Sequence, residues 1–522
     1  MAYVLVTLCC VFVSLGSFLF GYDSGMISYI IEEDTFLEKF GSPSLSDAAS
    51  GGIIASYTGG AILGALLASY ISDSAGRRIA IFAGGLLAVL GAALQGGAMA
   101  ISMLIAGRFI AGLAIGLTSA TIPVYCSEIA PACIRGLLAS MQQWMICLGI
   151  IVAQWVGYGC SRYSDDFIWR FPLSFQTAPA IILTCGVLFL PESPRWLLQH
   201  GKDKAARSAL TRLHLNRSAT NSQLVDYELA HIREGIAHED HRAVSWRHLL
   251  KSTRWRYRLL LACGLQIFTQ CSGANVIQNY MPQLYKSLGL STSTSLMIIG
   301  LLGALAQLWN TVFMLFIDKV GRRKLLIPSL LGMGAALCVE AALAHYVDFS
   351  DLRANPNALR GAIAMFFMFS LCFTGLGLIS WVYQTEIFPT ALRARGSSAA
   401  TATTWSINLL LTQSSPVAFR NIGPKYLYCF AAFNWAAVFI VWLWYPETLG
   451  RTLEGVEDVF AIKPTVPQPE IIAASPSPGN LRPHSQMKHK GMDPLSMHPN
   501  NGSWSSRSTT SPRLWCKKTG EV

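Results

Sequence analysis

The chain has 522 residues, of which 52% are hydrophobic and only 13% charged, and its mean hydropathy is +0.41. This composition is too apolar for an ordinary soluble protein, and it predicts an all-α membrane protein. The net charge of +11 would suit a nucleic-acid partner, but the Lys and Arg residues are concentrated in alternate loops. Such a distribution is typical of membrane orientation, so a lipid bilayer and not a nucleic acid is the expected partner.

The thirteen cysteines contain no CxxC pair, and most of them lie singly in apolar runs, where Cys acts as a small hydrophobic residue. We therefore expect no metal site, no cofactor and no disulfide framework. No loop brings together the sequence signals of a nucleophile, a base and an orienting group, so the chain is not expected to be an enzyme.

About twelve apolar stretches are long enough to cross a hydrocarbon layer of roughly 30 Å, which takes about 20 helical residues. They form a group of six, a polar gap and a second group of six. The first begins at Ala2 without a basic region or a clean cleavage site, which favours a retained helix over a cleaved signal peptide. The predicted spans are 3–30, 51–71, 79–99, 101–125, 138–158, 172–190, 258–282, 295–317, 324–346, 361–384, 396–415 and 426–445.

Four segments follow from this pattern. An N-terminal six-helix bundle is expected over residues 1–190, and a C-terminal one over 258–445. The polar loop 191–257 is predicted to form amphipathic helices against the membrane surface, because it is too short to bury a sizeable core. The tail 446–522 is rich in Pro, Ser, Asn and Lys and is predicted to be mostly disordered after about residue 460. All basic loops fall on one side if both termini are cytoplasmic.

Three charged phrases occur twice, in the same order and at similar spacing. A tandem duplication is the simplest explanation. DSAGRR lacks the Gly-rich cradle and the following Lys-Ser or Lys-Thr of a phosphate-binding loop, so it does not predict a nucleotide site. The pairs are DSAGRR (73–78) with DKVGRR (318–323), SEIAPACIRG (127–136) with TEIFPTALRARG (385–396), and PESPRW (191–196) with PETLGR (446–451).

Two ionisable side chains lie inside predicted spans, where an unpaired charge costs several kcal/mol. Asp23 lies in FGYDSG of the first span, and Arg108 lies in GRFIAG of the fourth. Both are placed in the outer half of the bundle by their distance from the helix ends, so we predict that they pair and that the pair responds to a proton. The alternative is that Asp23 caps a helix end near the outer surface.

These motifs together resemble the sugar porter family of the major facilitator superfamily, over nearly the full length up to about Phe460. The resemblance is carried by FGYDSG, DSAGRR, GRFIAGLAIG, PVYCSEIAPACIRG, WRFPLSFQ, PESPRWLL, QCSGANVIQNY, DKVGRRKLL, WVYQTEIFPTALRARG and PETLGRTLEGVEDVF. The WVYQTEIFP and tail phrases are most similar to those of fungal members. The resemblance implies the major facilitator fold, with two pseudo-symmetric six-helix bundles and a sugar bound between them near the midplane.

The resemblance also implies a set of sugar contacts. Amide side chains offer a donor and an acceptor to neighbouring hydroxyls, and a Trp face covers the apolar face of a pyranose. The alternative for any one of these residues is a bond between helices or an anchor at an interface. The implied contacts are Gln143, Gln270, Asn275, Trp381 and Trp405. Departures from the family pattern at Ile150, Thr269, Asn279, Leu378 and Thr404 leave the identity of the sugar open.

The repeated charges resemble the cytoplasmic gate of the family. Arg suits a gate because its planar group binds a carboxylate through two bonds that can re-form after each cycle. The alternative is a set of solvated loop charges, which contribute little. The predicted gate residues are Asp73, Arg77, Glu128, Arg135, Glu192, Arg195, Asp318, Arg322, Glu386, Arg393 and Glu447.

The predicted function is transport of a monosaccharide, with a hexose favoured, in symport with a proton across the plasma membrane. Asp23 carries this prediction, because the passive uniporters of the family commonly have a neutral residue at that position. A sugar or polyol uniporter is the nearest alternative, and a non-transporting sugar sensor with the same fold is the alternative from another class.

Overall fold

A computed structural model describes residues 3–31, 33–40, 47–131, 134–163, 165–213, 220–238, 246–278, 292–346, 356–449 and 460. Met1–Val459 form one compact unit. The second unit, Phe460–Val522, lies outside the described residues except for Phe460, and so does the prediction of a disordered tail.

The described chain is almost entirely helical. Nineteen α-helices are described, and one 3₁₀ turn at Gly423–Lys425 joins the last two. The helices are α1 (Val4–Val13), α2 (Leu15–Ile30), α3 (Asp34–Phe40), α4 (Asp47–Ala75), α5 (Arg77–Gly96), α6 (Ile101–Ile129), α7 (Arg135–Cys160), α8 (Phe167–Phe175), α9 (Thr177–Val187), α10 (Pro194–Gln199), α11 (Asp203–Leu213), α12 (Thr220–His238), α13 (Trp246–Lys251), α14 (Thr253–Cys271), α15 (Thr292–Val320), α16 (Arg322–Tyr346), α17 (Pro356–Glu386), α18 (Thr390–Ile422) and α19 (Tyr426–Trp444).

Within the described residues, ten stretches are apolar and long enough to cross a membrane. One of them, Thr390–Trp444, contains both α18 and α19. Counted as two spans, this stretch raises the total to eleven. The predicted sixth span is divided into α8 and α9, and with it the total is the twelve predicted spans. Pro179 explains the division, because it has no N–H to donate to the carbonyl four residues earlier.

The first predicted span is also interrupted, at Ser14 between α1 and α2. The Ser14 hydroxyl donates to the Cys10 carbonyl oxygen at 2.7 Å. This bond competes with the backbone bonds of the helix and commonly bends it.

Glycine allows the helices of the N-terminal half to approach closely. A Cβ on Gly112 of α6 would lie 1.9 Å from the Tyr57 carbonyl oxygen of α4, and a Cβ on Gly21 of α2 would lie 1.9 Å from the Ile146 carbonyl oxygen of α7. No side chain fits at either position, so the backbones are in direct contact. The first contact fixes α6, which carries Arg108, against α4, which carries Tyr57, and the second fixes α2, which carries Asp23, against α7.

The two halves meet chiefly along two helix pairs, α4 with α18 and α7 with α15, and also where α17 contacts α6 and α7 and where α18 contacts α6. Large apolar side chains such as Leu301, Phe439 and Trp442 are exposed on the outside of the bundle, as expected for a surface that faces lipid. The boundaries at 190/191 and 257/258 remain predictions.

One end of the bundle carries all the repeated charged phrases, and we call it the motif face. Here α4 joins α5 at Gly76, α15 joins α16 at Gly321, and the predicted loop segment begins after α9. Helices α10, α11 and α12 of that segment share a small apolar core, which includes Trp196, Leu210 and Leu229. The described part of the segment contains α10 to α13, and α10, α11 and α12 pack around a core of their own.

Candidate functional site

The structure brings Asp23 and Arg108 together. Asp23 Oδ2 lies 2.5 Å from Arg108 Nη1, and both side chains are only 2% exposed. The second oxygen of Asp23, Oδ1, is buried and has no hydrogen-bond partner. A buried ion pair that lacks further hydrogen bonds is costly to maintain.

Tyr57 connects this ion pair to the centre of the bundle. The Arg108 guanidinium carbon lies 4.3 Å from the centroid of the Tyr57 ring, which is a cation–π contact. The same ring packs edge-on against Trp405 of α18, with 5.8 Å between centroids, and Phe20 packs against Trp405 at 4.9 Å. A continuous chain of contacts therefore runs from Asp23 to a predicted sugar contact in the other half.

The predicted amide contacts and Trp381 form two hydrogen-bonded groups. Gln143 of α7 accepts a hydrogen bond from Trp381 Nε1 of α17 at 3.0 Å, which joins the two halves through a side-chain pair. Gln270 Oε1 accepts from Asn275 Nδ2 at 2.5 Å and from Asn408 Nδ2 at 3.3 Å. All five predicted contacts lie within the described residues, and four of them have less than a tenth of their surface exposed: Gln143, Gln270, Trp381 and Trp405.

Several polar residues of the centre were missed by sequence reasoning. Asn408 contacts Gln270, and Asn310 Nδ2 lies 3.3 Å from the Cys147 sulfur at the junction of α7 and α15. Gln266 lies one helical turn from Gln270 and bonds to Thr404. The signal that could have found Asn408 and Gln266 is a polar residue three or four positions from a predicted contact, because such residues share a helix face.

Each half of the motif face contains a buried arginine–glutamate pair. Arg77 Nε lies 3.1 Å from Glu128 Oε2, and Arg77 Nη2 lies 3.2 Å from Glu128 Oε1. In the second half, Arg322 Nη2 lies 2.7 Å from Glu386 Oε1, and Nε lies 3.2 Å from Oε2. The repeated phrases thus build the same two-pronged contact twice.

The aspartates of the repeated phrases lie beside these pairs. Asp73 lies 3.6 Å from Arg77, and Asp318 lies 3.0 Å from Arg322. Each is four residues before its arginine, and the glycine turn between the two helices brings the aspartate at the end of one helix beside the arginine that begins the next.

Three carboxylates at the motif face contact the other half. Glu128 Oε1 lies 3.5 Å from Arg393 Nη1, and Asp73 Oδ2 lies 3.6 Å from Arg395 Nη2. Asp318 Oδ2 accepts a hydrogen bond of 2.8 Å from the backbone N–H of Leu137. The motif face is therefore closed between the halves in this conformation.

Glu192 and Glu447 accept hydrogen bonds from backbone N–H groups, although pairing with arginine side chains was expected. Glu192 accepts backbone N–H bonds from Arg77 at 3.1 Å and from Ser193 at 2.8 Å. Glu447 accepts from the backbone of Arg322 at 2.9 Å. Both carboxylates therefore sit at helix N-termini, where unpaired N–H groups and the helix dipole favour an anion.

The glycines of the repeated phrases make room for these carboxylates. Gly76 has φ 102° and Gly321 has φ 105°, a backbone conformation that residues other than glycine rarely adopt. A Cβ on Gly76 would lie 2.4 Å from Glu192 Oε2, and one on Gly321 would lie 2.8 Å from Glu447 Oε2. Burial raises the pKa of Glu192, while the backbone N–H groups that it accepts from act in the opposite direction.

The remaining predicted gate residues also lie at the motif face. Arg195 Nη1 lies 3.5 Å from the Thr390 hydroxyl at the start of α18, and Arg135 is buried at the first residue of α7. Trp196 donates from Nε1 to the Asp73 carbonyl oxygen at 2.9 Å, which attaches α10 to the end of α4.

The chain is similar to transporters of known family. A model of the family described as "Sugar (and other) transporter" matches residues 9–460. The MFS-type transporter criB of Aspergillus cristatus is 33% identical over 459 residues, which are 87% of this chain and 93% of the relative. The high-affinity glucose transporter of Kluyveromyces lactis is 31% identical over 464 residues, which are 85% of this chain and 83% of the relative.

Solved structures agree with this family. The proton:xylose symporter XylE bound to 6-bromo-6-deoxy-D-glucose matches with a TM-score of 0.78 and 25% identity, covering 88% of this chain and all of that one. The inward-open conformation of XylE from E. coli matches with a TM-score of 0.66. The predicted major facilitator fold is confirmed, and the chain is a multi-pass membrane transporter and not an enzyme. The chain belongs to the sugar porter family of the major facilitator superfamily.

Proposed function

We propose that this transporter takes up a monosaccharide, with a hexose favoured, in symport with a proton across the plasma membrane. The observation that carries the proposal is the buried Asp23–Arg108 pair, which contacts Trp405 through the Tyr57 ring. The names of the relatives support it, because they include a glucose transporter and a proton:xylose symporter. In the proposed topology the motif face and both termini are cytoplasmic, and the halves span residues 1–190 and 258–445 with the loop 191–257 between them.

The central amides are the proposed sugar ligands. Gln143, Gln270 and Asn275 each offer both a donor and an acceptor, which is what adjacent sugar hydroxyls require. Trp381 and Trp405 supply rings for the apolar face of the sugar. Gln143 and Trp381 bond to one another across the two halves. A bound sugar competes with that bond and can therefore change the contact between the two halves.

Protonation of Asp23 is the proposed coupling step. The proton removes the charge that holds Arg108, and the guanidinium then remains attached mainly through the Tyr57 ring. Since that ring also contacts Trp405, movement of Arg108 changes the packing around the sugar. One charge carried inward across the membrane would gain about 2.3 kcal/mol per 100 mV of potential.

The motif face is the proposed inner gate. Inward release requires the contacts of Glu128 with Arg393, Asp73 with Arg395, and Asp318 with the Leu137 backbone to separate. The pairs inside each half, Arg77–Glu128 and Arg322–Glu386, can stay intact while this happens. Alternating access is then a rocking of the two halves about the central site.

Uptake by cells that lack their own sugar transporters tests this proposal. The protein is expressed in such cells with a panel of radiolabelled hexoses, pentoses and polyols, with and without a protonophore. The wild-type protein should accumulate a hexose against its gradient and lose this ability when the protonophore is added. Uptake that a protonophore does not change would favour a uniporter and contradict symport.

Asp23→Asn isolates the coupling step. The variant should lose accumulation but retain exchange of sugar across the membrane, because Asn keeps the shape of the site without its charge. Asp166→Asn is a matched control, since Asp166 is an exposed carboxylate that pairs with Lys39 and Arg170 away from the centre. Unchanged uphill uptake by Asp23→Asn would overturn the assignment.

A further inference from the structure

A cluster of buried polar side chains lies next to the predicted sugar contacts in the C-terminal half. The Thr404 hydroxyl donates to Gln266 Oε1 at 2.9 Å, and Gln266 Nε2 donates to Gln384 Oε1 at 2.8 Å and to the Ser380 carbonyl oxygen at 3.2 Å. Gln384 is completely buried. These bonds join α14, α17 and α18 through neutral polar groups.

This chain of hydrogen bonds ends at an unpartnered group, and two further unpartnered groups lie on α18. Gln384 Nε2 is buried without a hydrogen-bond partner, and so are the hydroxyls of Thr401 and Ser398 on α18. A buried polar group without a partner destabilises the folded state, and native proteins contain few of them. Three such groups, one on α17 and two on α18, therefore suggest a ligand that is absent from this conformation.

The cluster lies between the centre and the gate in the order of each helix. Along α17 the chain passes Trp381, then Gln384, then the gate residue Glu386. Along α18, read toward the motif face, Trp405 is followed by Thr401 and Ser398 before Arg393 is reached. Thr401 and Ser398 are three residues apart and share one helix face.

We propose that Gln384, Thr401 and Ser398 form an inner subsite that binds hydroxyl groups of the transported carbohydrate as it leaves the centre toward the motif face. This inference rests on the proposed sugar transport and extends it to a second position on the path. The three side chains are neutral, so they suit an uncharged ligand. An amide N–H donor together with two hydroxyls, which can donate or accept, matches the hydroxyl groups of a sugar.

The closed motif face accounts for the empty hydrogen-bonding capacity in this conformation. Ser397, next to Ser398, donates from its hydroxyl to the Ala120 carbonyl oxygen of the other half at 3.2 Å. With the halves in contact here, sugar reaches the subsite from the motif face only after they separate. The subsite should therefore contribute to affinity at that face and not at the opposite one.

Transport kinetics measured separately at the two membrane faces test this inference. The full-length protein is placed in sealed vesicles of defined orientation, and the KM for the hexose is measured from each side for the wild type, Gln384→Leu and Thr401→Val. Each variant should raise the KM at the motif face by about tenfold, the effect of losing one hydrogen bond. The KM at the opposite face should change less than about twofold, because sugar bound from that side makes no hydrogen bond to the subsite.

Thr403→Val is the matched control. Thr403 lies on the same helix, but its hydroxyl donates to the Ala399 carbonyl oxygen at 2.9 Å, so this variant should leave both KM values unchanged. Equal increases at both faces, or no increase in either variant, would overturn the subsite while sugar transport by the wild type still stands. A wild-type protein that transports no sugar would overturn the proposed function and the subsite together. Thr401→Val is nearly isosteric, so it remains informative if Gln384→Leu does not fold.

Discussion

The two copies of the repeated charged phrase close the motif face in different ways. Asp73 and Asp318 both reach across to the other half. Their partners occupy equivalent positions of the duplicated phrase, two residues after Arg393 for Asp73 and two residues after Arg135 for Asp318. Asp318 accepts a hydrogen bond from the backbone N–H of Leu137 at 2.8 Å, whereas Asp73 lies 3.6 Å from the Arg395 side chain. Duplication has preserved the geometry of the contact but not its chemistry.

This difference affects how each contact depends on the sequence. Every residue except proline has a backbone N–H, so the contact of Asp318 does not depend on the side chain at position 137. The contact of Asp73 needs a cation at position 395. We therefore expect the second copy to be the stronger and the less sensitive to substitution of its partner.

The largest expected effect comes from Glu128→Gln. Glu128 is contacted by Arg77 from its own half and Arg393 from the other, and its side chain is completely buried. Its neutralisation leaves two buried cations without their shared anion, so we expect a loss of about 3–5 kcal/mol in the free energy of unfolding. Thermal unfolding of the purified protein measures this loss.

Glu386→Gln is the comparison in the second copy. The Thr448 hydroxyl donates to Glu386 Oε2 at 2.7 Å, and a Gln carbonyl oxygen can still accept this bond. We expect a smaller loss, of about 1.5–3 kcal/mol. Equal losses in the two variants would show that the shared position of Glu128 between the halves has no energetic consequence.

Gly76→Ala and Gly321→Ala should have the next largest effects. Alanine at positive φ costs about 1–2 kcal/mol, and the added Cβ also approaches a glutamate oxygen. Gly76→Ala should lower the unfolding temperature more, because its Cβ would be nearer to the carboxylate. Gly59 is a suitable control, since an added Cβ there meets no atom within 4 Å. A control variant as unstable as the other two would contradict this explanation.

Asp318→Asn should shift the motif face toward its open state. The substitution weakens a charge-assisted bond to the Leu137 N–H, which is worth about 1.5–3 kcal/mol. Spin labels on the two halves at the motif face would report a larger population of long distances. Asp73→Asn, whose cross-half contact is longer, should produce a smaller change, and the reverse order would contradict the comparison.

Arg395→Leu should have the smallest effect. The pair with Asp73 is partly exposed, with side-chain exposures of 16% and 24%, so its loss should cost no more than about 1 kcal/mol. Salt screens exposed pairs, so the difference between wild type and variant should shrink at high ionic strength. A loss that does not depend on salt would indicate that Arg395 acts through packing.

The sequence predicted much of this arrangement because the important residues are repeated or unusual. A charge inside an apolar span identified Asp23 and Arg108, and the duplication identified the motif face. Glu192 and Glu447 were expected beside arginine side chains, but they bind backbone N–H groups, which are the same for every residue and leave no signal in a sequence. Gln384 lies three residues after the predicted contact Trp381 but was missed, because its hydrogen-bond partner Gln266 comes from another helix.

The two helix-end carboxylates have a consequence for the speed of the proposed cycle. Glu192 and Glu447 fasten each half internally through contacts that need not break when the halves separate. The barrier to opening is then set by the few contacts between the halves, and each of these can be strengthened or weakened by one substitution. Turnover rate can thus change over evolutionary time without loss of the folded shape of either half.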